Sequence, residues 1–229
     1  MKTSPTPLRI HLIRHGETEW SLSGQHTGPT DIALTARGEG EARELARRLQ
    51  GIPFARVLTS PLRRARRTCE LALPDVVPEI ESDLAEWDYG EYEGLKTPEI
   101  LRSRPDWNLF LDGGMKGETP AQVSQRADEL IARLRRMDGN VAVFSHGHFG
   151  RVLGTRWIGL PVSEAEHLQL GTASVSIIGY DPHHPAVAVI ERWNEISAER
   201  PRPANSPAID RWENEGGEIP HQQMKRRDF

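Results

Sequence analysis

Cysteine is almost missing from this chain. Of 229 residues only Cys69 carries a thiol, which excludes an intramolecular disulfide and argues against a cysteine metal cluster. Long apolar runs are missing as well. No stretch reaches the roughly 18 consecutive apolar residues that a membrane-spanning helix needs, and the opening MKTSPTPLRIHLIRH has no apolar segment ahead of the first expected strand. The protein is therefore expected to be cytoplasmic, with no membrane as partner. A large charge of either sign is also absent. The formal net charge is −4, so no global field steers the chain toward nucleic acid, although local basic patches remain open to it. No internal repeat is visible.

What is present is enough apolar material, 37% of the residues, to bury a full core. The expectation is one domain, residues 1–198, followed by a tail over 199–229. Past Trp193 the composition shifts to Pro, Arg, Asn, Glu and Gly, which suits a segment lying on the surface or disordered.

Two apolar runs break off into histidine. Ile10 to Ile13 reads as a buried strand that hands Arg14, His15 and Gly16 to a long polar loop, 16–35. Val141 to Phe144 reads as a second buried strand ending in Ser145, His146, Gly147 and His148. In open α/β sheets the ligand crevice lies beyond the carboxyl ends of the strands, so both histidines are expected at one crevice.

Between the two runs, Thr35 can cap a helix carrying Ala42, Leu45, Ala46 and Leu49 at helical spacing. Val57 to Thr59 is a short strand, and Ser60 with Pro61 reads as the cap and first residue of a helix bearing Leu62, Ala65, Cys69 and Leu73. Residues 74–118, with Pro78, Pro98, Pro105 and paired Gly113 and Gly114, should form a lid or side lobe rather than sheet. Thr119, Pro120 and Gln122 open a long helix with Val123, Ala127, Leu130, Ile131, Leu134 and Met137 at helical spacing. A helix should begin at His146, and a hairpin should close the domain around the Asp-Pro-His-His-Pro turn.

Arginine presents a rigid fork of donors matched to phosphate oxygens, and a helix start adds free N–H groups. Arg14 and the pair Arg63 and Arg64 would thus make the crevice an anion trap. An imidazole among arginines has its cationic form disfavoured, so it stays neutral and nucleophilic. Glu86, between Leu84, Trp87 and Tyr89, could keep a proton for a leaving alcohol. The remaining histidines His148, His183 and His184 read as ordinary exposed residues. A metal site built on His146 and His148 finds no nearby pair of carboxylate ligands.

The stretch LIRHGET, followed in order by TSPLRRARRT, LAEWDYGEYEGL, GET before a helix, and FSHGH, resembles the histidine phosphatase superfamily, also called phosphoglycerate mutase-like, over roughly residues 8–194. The resemblance implies a three-layer α/β/α sandwich with a mostly parallel sheet. It implies that His15 becomes a phosphohistidine, that Arg14, Arg64 and His146 bind the transferred phosphoryl group, and that Glu86 donates the proton. Thr27, Gly28 and Glu118 fall where family members line the substrate pocket. Ser21 stands where many members carry Asn, six residues after the nucleophile.

Within the superfamily the chain most resembles sugar bisphosphatases and related small-molecule phosphatases. Only 60 positions separate Glu86 from His146, a shorter cover than mutases carry, which should admit water and favour hydrolysis. The implied partner is a small phosphorylated metabolite, a sugar phosphate or bisphosphate, with no cofactor, no metal and no nucleic acid; a homo-oligomer is allowed. Two other readings stand beside it: a mutase returning phosphate to its substrate, and a binding protein that recognises phosphorylated ligands without turnover.

Overall fold

The structure, a computed structural model, describes residues 6–196. The expected tail, 199–229, lies outside them.

The strands are β1 (Arg9–Arg14), β2 (Phe54–Thr59), β3 (Glu79–Ile80), β4 (Asn140–Ser145), β5 (Val175–Tyr180) and β6 (Ala188–Glu195). They form one sheet in the order β3-β2-β4-β1-β5-β6. The first four positions run parallel, and β5 and β6 add an antiparallel edge. The helices are α1 (Glu19–Ser23), α2 (Ala36–Leu49), α3 (Arg63–Ala72), α4 (Thr97–Ser103), α5 (Leu109–Asp112), α6 (Pro120–Leu134) and α7 (Gly147–Trp157), with 3-10 turns at Ser82–Leu84 and Val162–His167.

Alternation along the central strands produces the layers. Successive side chains of a strand point to opposite faces. Ile10 and Leu12 of β1 and Val141 and Val143 of β4 join the cluster under α6 and α7, together with Leu130, Phe149 and Leu153. Ile13, Ala142 and Phe144 take the other face and pack on Leu45 and Leu49 of α2 and Cys69 of α3. Strands covered on both faces are the usual place for a parallel sheet, and the result is the expected three-layer α/β/α sandwich. No helix among the described residues is long and apolar enough to cross a membrane.

Four local expectations are corrected. The helix after β2 starts at Arg63, with Leu62 at its cap and no side-chain cap bond; Ser60 lies outside it, its hydroxyl instead bonded to the ring of His146. The polar loop 16–35 contains the one-turn helix α1, closed by a capping box between Thr18 and Ser21. The side lobe 74–118 contributes a two-residue strand, β3, which extends the parallel sheet beside β2. Met137 lies beyond the end of α6.

Candidate active site

β1 and β4 are in-register parallel neighbours, Arg14 opposite Ser145, so their carboxyl ends deliver His15 and His146 side by side. The ring centroids are 5.2 Å apart. The turn after His15 is pinned by two glycines: a Cβ on Gly16 would come within 2.4 Å of the Gly38 carbonyl oxygen, and one on Gly38 within 2.1 Å of the Glu17 oxygen. Only a backbone without side chains allows α2 to approach the loop this closely.

His15 is buried, and its Nδ1 lies 2.7 Å from the Gly16 carbonyl oxygen. A carbonyl can only accept, so Nδ1 carries the proton and Nε2 keeps its lone pair. Burial, reinforced by the Arg64 and Arg14 cations, holds the His15 pKa well below its ordinary 6.5.

Arg64 is fully buried in the first turn of α3. Its Nε donates to His146 Nδ1 (3.1 Å), Nη1 to the Thr30 carbonyl (2.9 Å), and Nη2 to the carbonyls of Thr27 (3.0 Å) and Gly28 (2.9 Å). With Nδ1 accepting, His146 is protonated on Nε2, which donates to Ser60 Oγ at 2.7 Å. Burial and then Arg64 press the His146 pKa well below the ordinary value too. Arg14 donates through Nη1 to the Leu170 carbonyl. Its guanidinium packs on Gly147, where a Cβ would stand 3.1 Å from Arg14 Cζ.

The Glu86 carboxylate caps the start of α7, where Oε1 accepts from the N–H of Phe149 (2.7 Å) and Oε2 from that of His148 (3.0 Å), and Oε1 also accepts from the Trp87 N–H (2.9 Å). A helix N-terminus offers such unpaired donors and a positive potential.

These groups surround a cavity of about 210 Å³ whose wall includes Arg14, His15, Ser21, Thr27 and Glu86. Arg64 and His146 lie behind that wall, supporting it. Gly28 is also behind it, and its carbonyl is one of the seats of Arg64. Glu118, expected to line the pocket, is not in the wall: its carboxylate grips Arg126 through Nε (2.8 Å) and Nη2 (2.7 Å) and accepts from the Asp88 N–H (3.0 Å). Ser21 Oγ donates to the Thr18 carbonyl and accepts from its N–H, so the hydroxyl that replaces the more usual Asn serves the α1 cap.

The wall also holds residues that sequence reasoning passed over: Gln25, His26, Tyr89, His148, Arg151, Gln169 and Asn194. His148, read as an exposed histidine, is 7% exposed. Its position two residues past His146, in the first turn of α7, was the available signal. For Gln169, on the connection before β5, and Asn194, near the end of β6, there was none. Among the described residues no group of three or more His, Cys, Asp or Glu side chains is placed to hold a metal ion.

Known proteins resemble this chain over most of its length. The sequence profile of the histidine phosphatase superfamily (branch 1) matches residues 10–196. An acid phosphatase of Mycobacterium tuberculosis is 44% identical over 187 residues, covering 80% of this chain and 91% of the relative. The sedoheptulose 1,7-bisphosphatase of Saccharomyces cerevisiae is 36% identical over 193 residues, 70% of this chain and 71% of that one. A solved structure of an open reading frame product from M. tuberculosis, 40% identical, superposes with a TM-score of 0.76 over 82% of this chain and 97% of its own.

Proposed function

This chain belongs to the histidine phosphatase superfamily (branch 1) and is a metal-independent phosphatase of small phosphorylated metabolites; from that premise we propose that it hydrolyses a sugar phosphate or bisphosphate through a phosphohistidine on His15. The observation that carries the reading is the His15 ring, protonated on Nδ1 by its bond to the Gly16 carbonyl and neutral through burial among arginines. Its Nε2 lone pair attacks phosphorus as the ester P–O bond breaks. Arg14 at the wall binds the transferring oxygens, and Arg64 behind it contributes charge and fixes the His146 ring. Fixed donors and charges of this kind act most strongly where negative charge grows in the transition state. Glu86, at the cavity wall, must enter the step protonated, and it gives that proton to the departing alcohol oxygen. Water then attacks phosphorus, the P–N bond breaks, Glu86 takes the proton back, and inorganic phosphate leaves.

A brief exposure to phosphate-labelled substrate with an alkaline quench should trap acid-labile label on His15. H15A should lose the label and nearly all turnover. Label persisting in that variant would put the nucleophile elsewhere. A panel of sugar phosphates, bisphosphates, phosphoglycerates and nucleotides would identify the substrate, and 3-phosphoglycerate analysed for 2-phosphoglycerate as well as free phosphate would expose a mutase.

A further inference from the structure

Glu86 is carried by residues 85–89, which belong to neither helix nor strand. Buried backbone groups in such a stretch must find their partners outside it. Much of that need is met by one side chain. Arg126, on α6, donates through Nη1 to the carbonyls of Asp83 (2.8 Å) and Ala85 (2.8 Å), and through Nη2 to that of Glu86 itself at a longer 3.4 Å. Its Nε and the second Nη2 hydrogen close on the Glu118 carboxylate. All five N–H groups of the guanidinium are thereby engaged.

Glu118 completes the hold from the other end of the segment. Its Oε2 also accepts from the Asp88 N–H (3.0 Å), and its backbone N–H donates to the Asp88 carbonyl (2.8 Å). The Arg126–Glu118 pair is mostly buried, which keeps a bidentate contact strong. The same guanidinium lies 4.3 Å from the centre of the Phe149 ring, and the Phe149 N–H is one of the groups that seat the Glu86 carboxylate. Arg126 therefore touches both the backbone that bears Glu86 and the helix start that holds its carboxylate. It fixes the one against the other. Neither Arg126 nor Glu118 lines the cavity, so any effect on the leaving group must pass through Glu86.

We propose that Arg126 is a positioning residue for proton donation: with Glu118 it locks the segment 83–88 and so sets where the Glu86 carboxyl stands relative to the leaving oxygen. This rests on the phosphatase reading above, with Glu86 as its acid, and adds the residue that aims that acid. What Arg126 supplies is geometry rather than charge. A lysine would bring the same charge but only three donors on a flexible stem, where five fixed donors are in use.

Ethyl phosphate and p-nitrophenyl phosphate test it, because an alkoxide leaves only with a proton whereas p-nitrophenolate leaves nearly unaided. The quantity to compare is kcat/KM, which covers binding and the first P–O cleavage. R126M should lose about 10- to 100-fold on ethyl phosphate, a large part of what general acid catalysis supplies, and less than about 3-fold on p-nitrophenyl phosphate. Inhibition by inorganic phosphate should change by less than about twofold, as for a site remote from the substitution. In an E86Q background R126M should cost less than about twofold more on ethyl phosphate, since nothing remains to be aimed. The Arg126 charge also reaches His146, whose pKa it helps to lower, so R126K separates charge from position and should recover little. If R126M folds poorly because Glu118 is left as an unpaired buried charge, E118Q/R126M removes that charge and should show the same selective loss. Equal losses on the two esters, losses of R126M and E86Q that add in full, or full recovery in R126K would overturn the assignment. So would an R126M enzyme as active as wild type. An E86Q variant without a selective loss on ethyl phosphate would bring down the acid and the proposal with it. A protein that hydrolyses neither ester and takes no label on His15 would instead bring down the phosphatase reading itself.

Discussion

Adjacent arginines at the start of α3 meet opposite environments. Arg64 is fully buried and donates to three backbone carbonyls and to His146, whereas Arg63 is exposed and its backbone N–H meets Asp31. Removing Arg64 withdraws charge from behind the transferring group and leaves the loop carbonyls of Thr27, Gly28 and Thr30 without their donor. R64A should lower kcat/KM by at least about 100-fold and weaken inhibition by inorganic phosphate, since a fixed buried charge acts most strongly on the negative charge that grows in the transition state; R63A should do much less. Comparable losses in the two would mean the wrong arginine has been assigned. In the bare sequence either member of the pair could face the crevice, and the resemblance to known phosphatases decided between them. Glu118 shows the opposite case. Its place in the motif order suggested the pocket, but the partner it takes, Arg126, comes two turns into α6, and nothing local in the sequence announces that pairing. His148 was hidden for a related reason, because burial of a polar ring depends on what the side lobe brings over it.

At the scale of elements, periodicity was readable wherever one face is buried. β1, β4, α2, α6 and α7 fall where an apolar run or helical spacing puts them, because each helix buries a continuous stripe in one core layer and the two strands are buried in both. Two-residue β3 escaped because both its residues are exposed and their pairing depends on β2 rather than on any pattern of their own. The start of α3 shifted because Ser60 found a stronger use for its hydroxyl at His146 than at a helix cap. Gly38 tests how tightly elements hold the site. On propensity alone, alanine inside a helix gains up to about 1 kcal/mol over glycine. Here its Cβ would meet backbone of Glu17 at 2.1 Å, so α2 and the loop after His15 must separate. G38A should therefore lower kcat/KM well beyond any change in melting temperature, because a displacement near 1 Å at a nucleophile can cost about 100-fold. Full activity in G38A would show that the loop position does not depend on this contact.

For the whole molecule, the buried histidines link function to stability with a definite sign. His15 and His146 have folded pKa values well below 6.5, and His11 is lowered as well, in each case chiefly by burial. The unfolded chain regains the ordinary value near 6.5. Below that pH the unfolded state takes up protons that the folded state refuses, and stability falls as pH falls; above it the two states bind equally and these groups add no slope. Each histidine titrating only in the unfolded chain contributes up to about 1.4 kcal/mol per pH unit. Urea unfolding at pH 7.5, 6.5, 5.5 and 5.0 should thus show a plateau followed by a decline that begins near pH 6.5, earlier than carboxylates alone would give. H15N, which cannot titrate, should decline less steeply over the same interval. A profile flat to pH 5, or one identical in H15N, would show that the ring accepts its proton in the folded state. The same depressed pKa keeps the proposed nucleophile unprotonated in mild acid, so the acid limit of this enzyme should be set by its fold before it is set by its chemistry. Half-inactivation and loss of structure should coincide as pH is lowered, with inorganic phosphate, which binds only the folded site, moving both to lower pH.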